Sequence, residues 1–302
     1  MQRIAVITLF IIVTLTWSTT WLAMQIAVTT IPPLFATGMR FLFAAPFLII
    51  IAKISKTPLL FPKGQRMFQA TITLFYFSVP FTLMIYGEKF VSSGLASVIF
   101  SFMPVAVMLT SLLILKTRTN AVQIAGLIIA TVSLALILIS ESESDINSSW
   151  QGVTALIVAV IMHAILYAKC KQRSCTVSVI TFNALPCLAA GVLLLTLGSL
   201  LETPLVSSFS LSSVWATFYL GSFAGVFGIL CYFGLQKKAG AFSASLVFLI
   251  FPVVAVILEE IIYGHGFSQC SLLLMLPLAA GILLTLISGK KMQNETTPQP
   301  TE

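Results

Sequence analysis

The chain has 302 residues, of which 58% are hydrophobic and only 8% are charged. A soluble domain carries about 25% charged residues, so this composition excludes a water-soluble fold and indicates a membrane protein. One membrane-spanning helix takes about 20 apolar residues, which leaves room for about ten spans with short loops. The net charge of +7 would suggest nucleic acid binding in a soluble protein, but no nucleic acid partner is expected for a chain embedded in lipid.

Apolar runs bounded by charged residues predict the fold class as all-α integral membrane with ten transmembrane helices. The first run follows Arg3 and continues through Trp17 and Trp21 without a small-residue cleavage site. It therefore predicts a retained first span and not a signal peptide. The ten predicted spans are 4–24, 33–52, 68–87, 92–115, 121–140, 150–168, 178–200, 213–235, 241–263 and 270–288.

The basic residues fall on one side of this topology. With a cytoplasmic N-terminus, every lysine and arginine except Arg40 and Lys89 lies in a cytoplasmic segment, whereas the acids from Glu88 to Glu260 lie outside. This arrangement follows the positive-inside rule, and it predicts that both termini are cytoplasmic.

Span 1 carries a stripe of polar-capable side chains at spacings of 4, 3 and 4, which places them on one helical face. Polar groups on one face of a membrane helix point away from lipid, so Trp17, Ser18 and Trp21 become candidate residues of a solute cavity. For Trp21, a place in the outer aromatic belt is the alternative. The members of the stripe are Thr14, Ser18, Trp21 and Gln25.

Span 2 begins at Pro32 and Pro33, where proline is tolerated because the first amides of a helix are unpaired. Arg40 lies seven residues further on, about 10 Å into the membrane at 1.5 Å per residue. Two explanations stay open for this charge. Arg40 extends back to the lipid headgroups, or it pairs with an outer acid such as Glu88 or with the anionic end of a substrate.

Span 4 carries a narrow stripe of small and weakly polar residues, which forms either a helix-packing seam or a wall of the substrate path. Ser101 is the candidate substrate contact on this stripe. Pro104 removes one backbone hydrogen bond and frees the carbonyl of Phe100, which needs a partner inside the protein. The members of the stripe are Gly94, Ser97, Ser101, Pro104, Met108 and Ser111.

The pattern of span 4 recurs in span 9, which indicates an internal duplication. A shift of 148 residues places Ala96, Ser97, Phe100 and Pro104 on Ala244, Ser245, Phe248 and Pro252. The sequence therefore divides into a first five-helix repeat (1–147), a second five-helix repeat (148–288) and a polar cytoplasmic tail (289–302) predicted to be disordered.

Each repeat has an odd number of predicted spans, so the second must cross the membrane in the opposite direction to the first. Pro104 and Pro252 would then be matched hinges in two inverted halves. Glu259 follows Pro252 on the same face and lies about 6 Å from the outer end of span 9. This depth favours exposure at the outer membrane interface, and a role in ion coupling is the alternative.

Span 6 places His163 about 18 Å below its outer end, and Tyr167 follows one turn later. A histidine at mid-bilayer is costly unless it is neutral and hydrogen-bonded. His163 is therefore either a buried residue that bonds a neighbouring helix or a residue that lines the solute path or carries a proton. Asn183 on span 7 completes the candidate substrate-binding residues.

Motifs for catalysis are not found in the sequence. It contains no G-x-S-x-G, H-E-x-x-H, P-loop or G-x-G-x-x-G motif. The only aspartate, Asp145, lies in a predicted loop, so an intramembrane aspartyl enzyme would lack its carboxylates. Five cysteines without a C-x-x-C pair predict reduced residues that bind no metal, and no cofactor is expected.

Three stretches carry a family resemblance: WSTTWLAMQIA with the following PPLFATGMRFLFAA, YGEKFVSSGLASVIFSFMP, and LQKKAGAFSASLVFLIFP. They are similar to the EamA family of the drug/metabolite transporter superfamily, and the resemblance covers nearly the whole chain. Two positions depart from the family pattern: Ser18 stands where glycine is common, and Lys116-Thr117-Arg118 replaces the usual glycine-glutamate after span 4.

The resemblance implies ten helices in two inverted halves, a central cavity, and export or exchange of amino acids, metabolites or drugs across the bacterial inner membrane. The leading hypothesis is a secondary transporter that moves small organic solutes by alternating access, as a monomer or a homodimer. A non-transporting membrane sensor or assembly subunit is the alternative, and an intramembrane enzyme is less favoured because the sequence lacks a reactive constellation.

Overall fold

A computed structural model describes residues 2–116, 119–144, 150–172, 177–264 and 267–296. The regular secondary structure of the described residues is helical, and these residues contain no strand. We number the helices α1 to α10 in chain order and treat Arg66–Gly87, Ser93–Leu115 and Leu211–Gly240 each as one helix with an internal irregularity. The helices are α1 Gln2–Ala27, α2 Pro33–Ile54, α3 Arg66–Gly87, α4 Ser93–Leu115, α5 Ala121–Ser144, α6 Trp150–Gln172, α7 Val179–Leu201, α8 Leu211–Gly240, α9 Val247–Tyr263 and α10 Gln269–Thr296.

Nine helices of the described chain are long and apolar enough to cross a membrane. The remaining helix, α9, has 17 residues and is shorter than the predicted span 241–263. The backbone is interrupted twice in this region. Gly240 has a φ of +82°, which glycine adopts without strain, and a turn at Leu246 separates the short helical segment 241–245 from α9. The predicted all-helical membrane architecture is confirmed at this level.

The ends of several helices carry the expected local signals. Pro33 is the first residue of α2, and the hydroxyls of Ser92 and Ser178 accept hydrogen bonds from backbone amides at the starts of α4 and α7. Gly264 closes α9 in the left-handed conformation, with its N–H donating to the carbonyl of Glu260.

The helices pack in a reciprocal pattern when α1–α5 and α6–α10 are taken as two halves. Helix α2 packs against α7, α4 against α9, and α5 against α10. Helix α1 lies against α8 and α9, and its counterpart α6 lies against α3 and α4. Each first helix therefore leaves its own half and packs against the third and fourth helices of the other.

Glycines bring the backbones of two of these pairs into direct contact. A Cβ atom added to Gly126 of α5 would lie 2.7 Å from the carbonyl oxygen of Gly281 in α10, and the reverse distance would be 2.8 Å. In the α2–α7 pair, a Cβ on Gly38 would lie 3.2 Å from the carbonyl of Gly191. Small residues permit this approach, and sequence reasoning did not identify either seam.

Irregular segments occur in corresponding helices of the two halves. Helix α3 contains a π-helical segment at Thr73–Ser78, and α8 contains one at Tyr219–Gly228. Helix α4 breaks at Phe102, two residues before Pro104, whereas α9 remains helical through Pro252. The backbone of the described residues is therefore interrupted next to Pro104 but is continuous at Pro252.

The last helix continues to Thr296, although the sequence predicts that the tail starts at residue 289. Residues 297–302 lie outside the described part of the chain. So do Arg118, Asp145 and Cys175.

Candidate functional site

Aromatic side chains of α1, α8 and α9 meet between the two halves. The ring centroid of Trp17 lies 4.7 Å from that of Tyr232 and 5.4 Å from that of Phe248. Trp21, one turn further, lies 4.8 Å from Phe100 of α4 and 6.5 Å from Phe251. Both predicted tryptophans therefore face the interior, and the burial of Trp21 excludes a place in a lipid-facing aromatic belt.

His163 of α6 is enclosed in a similar way by aromatic rings of the first half. Its ring centroid lies 4.8 Å from Tyr76 and 5.3 Å from Phe81, both of α3, and 6.2 Å from Phe100 of α4. The ring Nδ1 lies 3.0 Å from the carbonyl oxygen of Ala159, one turn earlier in the same helix. Trp17 and His163 thus each enter an aromatic cage built from the third and fourth helices of the opposite half.

Ser18 joins α1 to α9. Its side chain is fully buried, and its hydroxyl lies 2.7 Å from the Thr14 carbonyl and 2.9 Å from the Phe251 carbonyl. In this conformation the hydroxyl therefore holds two helices together. On the same stripe, Thr14 Oγ1 and Gln25 Oε1 are buried without a hydrogen-bond partner in the protein.

Arg40 and Asn183 line one small cavity of about 20 Å³ between α2, α3, α7 and α8. Arg40 is only 6% exposed, so its side chain does not reach the lipid headgroups. Its guanidinium carbon lies 4.8 Å from the centre of the Phe81 ring, and Nη1 lies 3.5 Å from Met24 Sδ. The amide of Asn183 donates to the carbonyl of Val179 at 2.7 Å.

Ser101 lines a second cavity of about 20 Å³, together with Pro252. The Ser101 hydroxyl donates to the Val98 carbonyl at 2.7 Å. The candidate residues on α4 and α9 therefore share one cavity, and those on α2 and α7 share the other. Each has room for about one water molecule, so neither holds an organic solute in this conformation.

Tyr167 differs from the other candidates because it is 52% exposed. It lies one helical turn beyond the buried His163, on the side where α6 ends with Lys169 and Lys171. The same face of α6 is therefore packed against other helices at His163 and exposed at Tyr167. We call this side of the bundle the basic end.

The opposite side, which we call the acidic end, is fastened by carboxylates that reach from one half to the other. Glu202 accepts hydrogen bonds from the amides of Leu34 and Phe35 at the start of α2. Glu141 accepts from the Ser268 amide at the start of α10, and Glu259 accepts from the Gly94 amide near the start of α4. Acceptors at helix N-termini satisfy unpaired amides and complement the helix dipole.

Glu259 and Glu88 correct two expectations. Glu259 is 3% exposed, so its predicted exposure at the interface is wrong; its carboxylate is buried because it caps α4. Glu88 is also 3% exposed, and neither of its carboxylate oxygens has a hydrogen-bond partner, which excludes the proposed pair with Arg40 in this conformation. Burial, and then the neighbouring Glu259 carboxyl, raise the pKa of Glu88 well above its usual range.

No group of three or more histidine, cysteine, aspartate or glutamate side chains in the described ranges could hold a metal ion.

The model of the EamA-like transporter family matches residues 4–139 and 150–287. Protein PagO of Salmonella typhimurium is 62% identical over 288 residues, which cover 95% of each chain. An uncharacterized transporter of Buchnera aphidicola subsp. Schizaphis graminum is 50% identical over 95% of this chain and 96% of its own. A solved crystal structure with 18% identity superposes with a TM-score of 0.67 and covers 94% of this chain and 97% of that one, which indicates a shared fold.

Proposed function

This chain belongs to the EamA-like transporter family, and we propose that it is a secondary transporter that exports or exchanges small organic solutes by alternating access. Its relatives include proteins named as transporters, and its multi-pass helical architecture suits that role. We place it in the bacterial inner membrane with both termini in the cytoplasm, so the acidic end faces outward.

The observation that carries the proposal is the buried guanidinium of Arg40 in the cavity with Asn183. A buried charge is costly unless it is paired, and Arg40 contacts only a thioether and an aromatic ring among the polar and cation–π contacts of the described residues. A carboxylate on a solute would supply the missing partner in the bidentate geometry that arginine favours. The solutes that fit are small molecules with an anionic group, amino acids among them.

The transport path in this proposal runs between the halves, along the aromatic cages of Trp17 and His163. The acidic end is closed by Glu202, Glu141 and Glu259, and in this proposal the path opens at the basic end, where Tyr167 is exposed. Two inverted halves would exchange these states, with α1 and α6 each moving against the opposite half. The closed cavities near Arg40 and Ser101 would widen during that exchange.

The test is an uptake and export screen of metabolites in cells that lack or overproduce the protein. Overproduction of the wild type should redistribute at least one small anionic or zwitterionic solute between cells and medium, and Arg40→Gln should abolish this redistribution. Arg66→Gln is the matched control, because Arg66 is an exposed arginine whose loss removes the same charge. The identified solute is then followed in proteoliposomes.

Redistribution that persists in Arg40→Gln would remove Arg40 from the site. Purified protein that moves no solute in liposomes but copurifies with a partner would overturn the transporter proposal in favour of a sensor or assembly subunit.

A further inference from the structure

Two carboxyl groups from opposite halves are buried together at the acidic end. Glu88 directly follows α3, and Glu259 lies on α9, yet both are 3% exposed, and the Glu259 carboxyl is close enough to act electrostatically on Glu88. Two buried carboxylates at short range repel each other, so one of them is favoured in the protonated form.

The hydrogen bonds decide which carboxyl carries the proton. Burial disfavours the charged form of Glu259, but its carboxylate accepts from the amide of Gly94 and interacts with the hydroxyls of Ser92 and Ser93. These donors offset part of the cost of burial, and Glu88 has no such donors. Both oxygens of Glu88 are buried without any hydrogen-bond partner. A carboxylate without donors or water is costly, whereas a neutral carboxylic acid at the same place is tolerated.

Other titratable groups do not change this assignment within the described residues. Tyr263 of α9 lies near both carboxyls and is neutral at physiological pH, since tyrosine has an ordinary pKa of about 10. Lys89, the next residue in the chain, is exposed. Helix α6 presents Gly152 and Leu156 to Gly87, which are both uncharged. His265, on the linker after α9, lies outside the described residues.

We propose that Glu88 is a proton-binding site: in this conformation it holds one proton beside the anionic Glu259, and it releases that proton when α4 and α9 separate at the acidic end. This proposal rests on the proposed transport function, and it makes the proton the coupling ion of transport. Opening the acidic end would bring water to Glu88 and favour its carboxylate, and closing it would require the proton again. Movement between the two states would thereby be linked to a proton gradient.

The first experiment measures thermal unfolding of the purified protein in detergent between pH 4 and pH 9, without any solute. Glutamate in an unfolded chain has a pKa of about 4.3, and the pKa of Glu88 in the folded protein is raised. The folded state therefore holds the proton more tightly than the unfolded state, and the melting temperature of the wild type should fall as pH rises above about 4.3.

Glu88→Gln imitates the protonated side chain and cannot release a proton, so its melting temperature should stay higher at alkaline pH and depend less on pH. Glu202→Gln is the matched control, because Glu202 also lies at the acidic end but has donors on both oxygens; it should keep the pH slope of the wild type. His265 is present in all three proteins, and each variant differs from the wild type only at a single glutamate. A Glu88→Gln slope equal to that of the wild type would overturn the proposal.

Infrared spectroscopy supplies a second measurement that does not depend on the stability of the variant. The wild type at neutral pH should show a protonated carboxyl band that disappears in alkali, and Glu88→Gln should lack it. A wild type without this band, or a stabilisation by sodium that Glu88→Gln abolishes, would refute proton binding. Proton binding without solute movement in liposomes would instead leave the site in place and refute only the transporter proposal.

Discussion

At the scale of single residues, the candidate side chains differ in whether their hydrogen-bonding groups already have partners in the protein. The hydroxyl of Ser18 is used between α1 and α9, and that of Ser101 returns to its own helix, so neither is available to a solute in this conformation. Arg40, in contrast, retains unused donors in a cavity. A polar side chain is a candidate solute contact only if it has donors or acceptors that the protein itself does not use.

His163 tests this distinction because its ring has both a packing role and a chemical role. His163→Phe keeps an aromatic ring in the cage of Tyr76, Phe81 and Phe100. It loses the bond to the Ala159 carbonyl and the interaction with the Tyr76 backbone, which together cost about 1 to 2 kcal/mol. His163→Ala also leaves a void and should cost about 3 kcal/mol. We expect both variants to reduce solute flux in proteoliposomes.

Chemical denaturation in detergent gives the two stabilities, and liposome flux gives the activity. Full flux in His163→Phe would assign His163 to packing alone, and its ring nitrogens would then have no part in transport.

At the scale of helices, close backbone contacts fix some helix pairs, whereas interruptions of the backbone leave other helices freer to move. The glycine seams fix α5 to α10 and α2 to α7, because there is no side-chain layer between them to rearrange. The break at Phe102 and the π-helical segments lie in α3, α4 and α8, where the aromatic cages are built. Irregular helical segments are frequent at functional sites, and they leave these helices fewer regular hydrogen bonds to lose when they move.

Gly281→Ala should destabilise the protein by about 1 to 3 kcal/mol, because the new methyl group would meet the backbone of Ala130 and Gly126 and must push α10 from α5. Gly234→Ala is the matched control. A Cβ there would meet only Leu9 Cδ1 at an ordinary distance of 3.8 Å, so its stability should be unchanged or slightly higher. Denaturation curves of the two variants in the same detergent provide the comparison, and equal stabilities would contradict the seam.

Pro104→Ala should restore a backbone donor to the broken turn of α4 and favour a straight helix. We expect equal or higher thermal stability, slower solute flux, and slower maleimide labelling of a cysteine introduced at Tyr167, because the kinked conformation becomes less populated. Pro252→Ala should change labelling less, since α9 is already continuous there. Pro277→Ala, inside α10, is the control expected to leave labelling unchanged, and an equal effect of all three would refute a hinge at Pro104.

At the scale of the whole molecule, the sequence predicts what depends on neighbouring residues along the chain. Apolar runs predict the helices, and the 4, 3, 4 spacing of Thr14, Ser18, Trp21 and Gln25 predicts the buried face of α1. Contacts between distant segments could not be predicted. Glu88 and Glu259 are separated by five helices, and a single sequence contains no signal that they meet.

The two-sided distribution of charge gives a testable topology for the molecule. In a cysteine-free background, Ser144→Cys should react with an impermeant maleimide from outside intact cells, and Lys63→Cys should react only after permeabilisation. This result follows if the lysines and arginines of the loops remain on the cytoplasmic side. Reaction of Ser144→Cys only after permeabilisation would invert the orientation and place the acidic end in the cytoplasm.

The exchange of first helices between the halves has a consequence for biosynthesis. Helix α1 leaves the ribosome first, but its buried polar face has α8 and α9 as principal partners. At 5 to 20 residues per second, roughly 10 to 40 s pass before those helices are made. During that interval Ser18 and Gln25 must face lipid, the translocation machinery or a temporary neighbour, whereas α6 finds α3 and α4 already in the membrane. Assembly of this protein is therefore expected to be sensitive to loss of the factors that shelter incomplete membrane helices, and its first half alone should be a poor folding unit.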